Sequence, residues 1–180
     1  MSLPKIDTQP HSATLPRFAR LETRHVAELA DLDESTNPHP WNGKQWLDSL
    51  EQHTCLGLWM GDTLAGFSVS MATLDEAELL LIAIAPQWQG QGWGTQLLHY
   101  TESTLASEGI AQLFLEVRES NQGARAFYQR HGWHENGRRK NYYPCAPRDI
   151  KQENSAQLSR EDAILCAKSL CATTLNGASA

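Results

Sequence analysis

The spacing of apolar and polar positions predicts alternating strands and helices along most of the chain. Residues 1–15 lack a period and are predicted to be a flexible leader, and a short strand follows from Pro16 to Leu21. A helix is predicted over residues 22–35, where apolar residues recur at helical spacing before the stop at Asn37 and Pro38. A second, shorter helix is predicted to begin near Asn42.

Three strands are predicted in the middle of the chain. Residues 55–60 and 63–71 form two of them, and the pair Gly61–Asp62 between them is typical of a hairpin turn. Residues 74–77 predict another turn. Residues 78–85 form an almost unbroken apolar run that Pro86 ends, which predicts a central strand buried on both faces.

The second half of the chain continues the alternation. Helices are predicted over 92–107 and 121–130, with a strand between them at 113–117 and two closing strands at 133–143 and 162–170. The polar stretch 145–160 predicts a loop insertion, and residues 172–180 predict a frayed tail. The pattern therefore predicts one α/β (α+β) domain over residues 16–171, in which helices cover a mixed sheet.

Composition and charge exclude several classes of protein. The formal net charge is −6, whereas a general nucleic-acid-binding protein needs a basic face. The four cysteines lack the spacing of a metal site, so we expect free thiols and no metal: Cys55, Cys145, Cys166 and Cys171. The first twelve residues lack the apolar run of a signal peptide, so we expect none, and no apolar run approaches the roughly 20 residues of a membrane span. We therefore predict a cytoplasmic protein without membrane or nucleic-acid partners.

A glycine-rich loop lies between the most apolar strand and the following helix. Its sequence is Gln89-Gly90-Gln91-Gly92-Trp93-Gly94, and its glycines let the backbone approach an anion closely. The helix that follows presents unpaired amides and the positive end of its dipole, an arrangement that suits a diphosphate. Two nucleotide motifs fail at Thr95, where the dinucleotide fingerprint and the P-loop both need a glycine.

The pattern that fits this loop is Q/R-x-x-G-x-G/A, with Gln89, Gly92 and Gly94 at the fixed positions. It resembles the loop with which the GNAT superfamily of N-acetyltransferases grips coenzyme A, although many members carry Arg at the position of Gly90. Within that superfamily, residues 16–170 resemble the ribosomal-protein-alanine N-acetyltransferases (RimI type). The segments that carry the likeness are 40–41, 74–77, 82–84, 115–118, 120–121, 127–128, 132–133, 139–144 and 160–163. The resemblance implies a GNAT fold, a mostly antiparallel sheet splayed at the coenzyme site, and acetyl-CoA as donor.

Two residues are candidates for proton transfer. Only a neutral amine attacks a thioester, so a base must remove a proton and an acid should protonate the departing thiolate. In the strand 113–117, alternation directs Glu116 away from its apolar neighbours, and the resemblance implies that Glu116 is the base. The alternative is a strand carboxylate paired with Arg118. Tyr128 resembles the tyrosine donor of the superfamily, the alternative being a core aromatic beside Phe127.

The resemblance also implies a donor-binding set. The backbone of residues 82–84 would contact the thioester and pantetheine, and Asn121 would be both a helix cap and a pantetheine contact. The full set of expected donor-binding residues is Ile82, Ala83, Ile84, Gln89, Gly90, Gln91, Gly92, Trp93, Gly94, Thr95 and Asn121.

The acceptor is the less specific part of the prediction. The resemblance implies the N-terminal alanine of a small-subunit ribosomal protein, and the basic tails of such proteins suit an acidic enzyme. Candidate acceptor contacts are Trp41, Asp75, Glu76, Tyr142 and Tyr143, with core packing or a solvated turn as alternatives; residues 138–140 predict an exposed strand face. Two other functions stay open: acetylation of a small-molecule amine, and a non-catalytic coenzyme-A-binding regulatory module.

Overall fold

The computed structural model describes residues 15–144 and 160–170, and its elements alternate as the sequence predicts. The strands are β1 (Pro16–Arg20), β2 (Thr54–Met60), β3 (Thr63–Thr73), β4 (Glu76–Ile84), β5 (Gln112–Arg118), β6 (His134–Pro144) and β7 (Arg160–Ser169). The helices are α1 (Val26–Thr36), α2 (Gly43–Gln52), α3 (Trp93–Ser107) and α4 (Gln122–Arg130). The predicted leader 1–14, the insertion 145–159 and the end of the chain from 171 lie outside the described residues, as do Cys145 and Cys171.

The seven strands form one sheet in the order β1-β2-β3-β4-β5-β7-β6. All neighbouring pairs are antiparallel except β4 and β5, which are parallel and joined through α3. The sheet is therefore mixed and mostly antiparallel, as predicted.

Helices cover both faces of this sheet. One core cluster joins α1 and α2 to β2 and β3 around the fully buried Trp46 and Phe67. Another joins α3 and α4 to β4, β5 and β7, and includes Leu98, Leu105 and Tyr128. The two clusters hold the sheet between them, so its central strands are fixed relative to both pairs of helices. Within the described ranges, none of the helices is long and apolar enough to cross a membrane.

Two predicted boundaries were wrong. The helix predicted from Glu22 begins as a 3-10 turn over Thr23–His25, and α1 starts only at Val26, because the amide of Glu22 donates to His25 Nδ1 at 2.9 Å and caps the turn. The turn predicted over residues 74–77 is only two residues long, since β4 already begins at Glu76. Leu74, the first residue of this turn, has a left-handed φ of 59°.

Strand β4 is not buried on both faces along its length, contrary to the prediction. Ala77 and Leu79 are buried, but residues 80–84 are only half-buried. The register explains the difference: Val69 of β3 pairs with Leu81 while Ser70 pairs with Leu79, so Leu80 is an extra residue in β4. Such a bulge bends the strand that carries it. Close to this bulge, beyond Glu78, β4 is no longer paired with β5, and a cleft opens in the middle of the sheet.

Candidate active site

The cleft between β4 and β5 is the central feature of the site. The two strands pair only at Glu76, Ala77 and Glu78, opposite residues 112–114, and diverge beyond them. A cavity of about 590 Å³ fills the gap. Its walls come from β4, from β5, from α4, from the α1–α2 loop and from the end of β6; the lining includes Leu79–Ile82, Leu115–Arg118, Asn121, Tyr128 and Tyr143. The splayed sheet implied by the resemblance is therefore present.

The glycine-rich loop lies at the start of α3. Gly90 and Gly92 have φ values of 71° and 84°, which side-chain-bearing residues rarely adopt. A Cβ at either position would meet nothing within 4 Å, so it is the backbone conformation that calls for glycine there. The first helical hydrogen bond runs from the amide of Gln96 to the carbonyl of Gly92, at 3.2 Å.

Six consecutive amides precede that bond, those of residues 90–95, and no group within 15–144 or 160–170 accepts a hydrogen bond from them. Unpaired amides at the positive end of a helix dipole form an anion-binding site. The side chain of Gln89 turns away from this row and donates to the carbonyl of Ile84 at 2.8 Å. The loop is thus tied to the end of β4, and its backbone amides fit a diphosphate.

Glu116 lies on β5 and lines the cavity. Its side chain is only 14% exposed, and its Oε1 forms a salt bridge with Nε of Arg139 at 2.7 Å. The pairing with Arg118 considered from the sequence is wrong, because Nη1 of Arg118 donates to Glu161 at 2.8 Å and to the carbonyl of Pro144. Alternation on β5 does follow the prediction, with Leu113, Leu115 and Val117 buried on the opposite face.

Glu78 is a second carboxyl group close to Glu116, and sequence reasoning did not select it. Burial raises the pKa of Glu78, the negative charge of Glu116 raises it further, and Arg139 partly opposes both effects. Glu78, Glu116 and Arg139 share the wall of another cavity, of about 420 Å³, which opens beside the end of the β4–β5 pairing. Two carboxylates and one guanidinium therefore stand at the inner end of the cleft.

Tyr128 comes from α4 and reaches the same cavity as Glu116. It is 8% exposed, and its ring packs against Phe127 and Trp133 with centroid separations of 5.4 and 5.7 Å. Burial raises the pKa of its hydroxyl well above the ordinary value, so the phenol keeps its proton at any physiological pH. Tyr128 is therefore a core aromatic that also lines the cavity. Its place in the core does not exclude the role of proton donor that the resemblance implies.

Asn121 precedes α4 and also lines the cavity. Its Oδ1 accepts a hydrogen bond from the amide of Ala124 at 3.0 Å, so the predicted helix cap is confirmed. The side-chain NH₂ group is the part of Asn121 that this cap leaves available to a ligand.

Aromatic residues near the mouth of the cleft differ in their roles. Tyr143 lines the cavity, and the guanidinium of Arg118 lies 4.4 Å from its ring centroid. Tyr142 is 43% exposed and lies beneath Arg139. Trp41 does not wall the groove as predicted, because it packs on Trp46 in the core cluster of α1 and α2, with ring centroids 5.0 Å apart.

The α1–α2 loop forms the remaining wall, with Asn37, Pro38 and His39. The buried Asp33 holds this loop: its carboxylate accepts from the Asn37 side chain at 3.0 Å and from the Trp41 amide at 2.8 Å. The position of Asp33 in a helical apolar stripe, where a carboxylate is unusual, is the one sequence signal for this contact.

Comparison with known proteins agrees with this geometry. The model of the acetyltransferase (GNAT) family matches residues 22–133. The [ribosomal protein bS18]-alanine N-acetyltransferase of Escherichia coli is 34% identical over 151 residues, which are 83% of this chain and 95% of that protein.

Solved structures give the same result. The crystal structure of the Escherichia coli ribosomal-protein-alanine N-acetyltransferase superposes with a TM-score of 0.78 at 31% identity, covering 92% of this chain and all of that one. A GNAT acetyltransferase from Elizabethkingia anophelis, solved with acetyl-CoA bound, has a TM-score of 0.65 at 20% identity and covers 86% of this chain and 98% of that one. The second likeness supports the fold alone.

The family model spans more than half of the chain, and the Escherichia coli relative matches 83% of it. The expectation of an acetyl-CoA-dependent N-acetyltransferase is confirmed: the chain belongs to the GNAT family of acetyltransferases.

Proposed function

We propose that this enzyme transfers the acetyl group of acetyl-CoA to the N-terminal alanine of the small-subunit ribosomal protein bS18, with Glu116 as base and Tyr128, in place of the full acid expected from the sequence, as hydrogen-bond donor to the departing sulfur. The observation that carries the proposal is the shared cavity: Glu116 from β5 and Tyr128 from α4 line the gap into which the unpaired edge of β4 opens. The named activity of the Escherichia coli relative, at 34% identity over 95% of its length, supports the acceptor.

The donor would lie along the cleft. Its diphosphate would bind the amides of residues 90–95, while Gln89 keeps the loop against β4 through the Ile84 carbonyl. The pantetheine arm would pair with the free backbone edge of Ile82–Ile84 and with the amide of Asn121. An amide of β4 that donates to the thioester oxygen would stabilise the charge that develops there during attack.

The base acts first. An α-amine with a pKa of about 8 arrives mostly protonated, and only its neutral form attacks. Glu116 takes the proton, directly or through a water, and the nitrogen lone pair then forms a bond to the thioester carbon. Arg139 pairs with Glu116 at 2.7 Å and orients the carboxylate before the amine arrives.

Tyr128 acts when the intermediate collapses. The C–S bond breaks and its electron pair leaves on sulfur as a thiolate, while the nitrogen, positively charged after the attack, loses its remaining proton to solvent. Because burial raises the pKa of Tyr128, complete proton transfer from the phenol to a thiolate whose thiol has a lower pKa is uphill. Tyr128 therefore acts by hydrogen bonding to the sulfur as its charge develops, and solvent supplies the proton to the released thiol.

The acceptor end of the cleft suits a basic N-terminus. Glu78 and Glu116 provide negative charge there, and Tyr143 beside Arg118 walls the approach. The chain as a whole carries a net charge of −6, which attracts a cationic ribosomal tail. Since ribosomal proteins are made in the cytoplasm, this acceptor places the reaction there.

Peptide acetylation tests the acceptor. A peptide with the bS18 N-terminus should release coenzyme A thiol and gain one acetyl group, whereas the same peptide with a blocked α-amine should not. Turnover with polyamines or free amino acids but not with the peptide would support the small-molecule alternative. Acetyl-CoA binding without turnover on any amine would indicate a regulatory module.

Two isosteric substitutions test the residue roles. Glu116→Gln should lower kcat by about 10²–10⁴ below pH 8 and should recover partly at higher pH, where the amine deprotonates by itself. Tyr128→Phe keeps the packing of the ring and should lower kcat while leaving the KM for acetyl-CoA nearly unchanged. A Glu116→Gln enzyme with the wild-type rate across pH 7–9 would exclude Glu116 as the base.

A further inference from the structure

His131 lies just after α4 and makes two hydrogen bonds with its ring. Nδ1 is 2.7 Å from the carbonyl oxygen of Phe127, and Nε2 is 3.0 Å from Oγ1 of Thr95. A carbonyl can only accept, so Nδ1 carries the ring hydrogen. With the hydrogen on Nδ1, Nε2 accepts, and the hydroxyl of Thr95 donates to it.

Thr95 occupies the first turn of α3, and its amide is the last of the six unpaired amides of the phosphate loop. Because its hydroxyl proton is committed to His131, Thr95 offers a diphosphate its backbone amide and not its side chain. The hydrogen bond therefore fixes the direction of the first turn of α3 from outside the loop.

His131 is itself held from behind. Lys168 on β7 donates to the backbone carbonyl of His131 at 2.7 Å and to Glu102 of α3 at the same distance. The ring also packs on Phe127 with a centroid distance of 4.5 Å. An anchored backbone and a packed ring leave the imidazole little freedom, so its Nε2 is a fixed acceptor for Thr95.

We propose that His131 is a positioning residue for the donor, which links the phosphate loop at the start of α3 to helix α4. This inference rests on the proposed function, because it assumes that the amides of residues 90–95 bind the diphosphate of acetyl-CoA. The Thr95–His131 bond holds these amides at the distance from Tyr128 that the length of the donor requires. Loss of the bond lets the first turn of α3 move and weakens donor binding.

Four substitutions separate the two bonds of the imidazole. Thr95→Val removes the hydroxyl and Thr95→Ser keeps it. His131→Asn places an amide near the position of Nδ1 and loses the contact with Thr95, whereas His131→Gln places one near Nε2 and can keep it. His99→Asn is the matched control, because the ring of His99 contacts that of His131 at 5.5 Å from the same helix as Thr95.

Calorimetric titration with coenzyme A gives the readout. Thr95→Val and His131→Asn should each weaken binding about two- to tenfold, the worth of one hydrogen bond. The double variant should be no weaker than either single one, while Thr95→Ser, His131→Gln and His99→Asn should stay within about twofold of wild type. In steady-state kinetics the KM for acetyl-CoA should rise and the KM for the peptide should not.

Wild-type binding in Thr95→Val and His131→Asn would overturn the inference, even with a lower melting temperature, because the bond would then serve the fold alone. A double variant weakened by the product of the two single effects would also overturn it. These results leave the proposed function intact, whereas a wild-type enzyme that bound no coenzyme A would refute both.

Discussion

Gly66 offers a direct test of whether the backbone of β4 governs donor binding. It lies buried in the middle of β3, opposite Leu58 and Ile84. A Cβ at this position would come within 2.5 Å of Ile84 Cδ1 and 2.8 Å of the Ala83 carbonyl oxygen. The Ile84 side chain can rotate away. The carbonyl of Ala83 cannot, so Gly66→Ala must move the strand segment to which we assign the thioester.

The expected cost follows from overpacking in a sheet whose neighbours are fixed. Gly66→Ala should lower the free energy of unfolding by about 1–3 kcal/mol. For a chain of this size that is a fall of about 2–12 °C in melting temperature. The KM for acetyl-CoA should rise several-fold, because Ile82–Ile84 move with Ala83.

Gly43→Ala is the control, since a Cβ at Gly43 in the first turn of α2 meets nothing within 4 Å. It should leave the KM unchanged and stabilise the helix by up to about 1 kcal/mol. Scanning calorimetry and donor-saturation kinetics measure both effects. If Gly66→Ala had the melting temperature of the wild type and the same KM for acetyl-CoA, the placement of the donor on β4 would be refuted.

Two further substitutions test the charges of the site. Arg139→Gln removes the cation that lowers the pKa of Glu78, so this pKa, already raised by burial and by Glu116, should rise further. The kcat/KM for the peptide should therefore fall more at pH 6 than at pH 8. Arg138→Gln is the control: it breaks salt bridges with Glu119 and Asp162 instead and should not show this pH dependence. Burial alone would raise the pKa of Glu161, but hydrogen bonds from Ser120 and Arg118 outweigh it and hold that pKa below its ordinary 4.5. Their stabilisation, about 1.5–3 kcal/mol, is present above that pH and lost as the pH falls through the lowered value, so the melting temperatures of wild type and Glu161→Gln should differ at pH 7 and converge near pH 3.

Local sequence patterns predicted most of the secondary structure correctly. Alternation on β5 and the hairpin at Gly61–Asp62 each depend on residues adjacent in sequence, and the structure agrees with both. The burial of β4 did not follow from its sequence. An apolar run reports hydrophobic side chains, but it does not report that the neighbouring strand diverges after Glu78.

The candidate site likewise has residues that the sequence predicts and residues that it does not. Glu116, Tyr128 and the glycine-rich loop stand on single elements, so a motif can select them. The structure brings Glu116 and Tyr128 to one cavity and ties the loop to the end of β4. Arg139 could not be found in this way. It reaches Glu116 across β7, which lies between β5 and β6, and the register of those strands is set by pairings between distant parts of the chain. The sequence does not indicate Glu78, because a carboxylate at the start of a strand is ordinarily solvated.

The bulge at Leu80 connects the architecture to the chemistry. By diverting β4 from β5 it leaves backbone amides and carbonyls of Leu81–Ala83 without partners on the β5 side of the strand, at least among the residues that the structure describes. An unpaired peptide group in a half-buried cleft costs about 1–3 kcal/mol, and water satisfies it only in part. A ligand with amides of its own recovers that cost, and the pantetheine arm is such a ligand. Under the proposed function, the sheet is least satisfied where the donor would bind, so part of the stability given up in folding would return as affinity for acetyl-CoA and would hold its thioester beside Glu116.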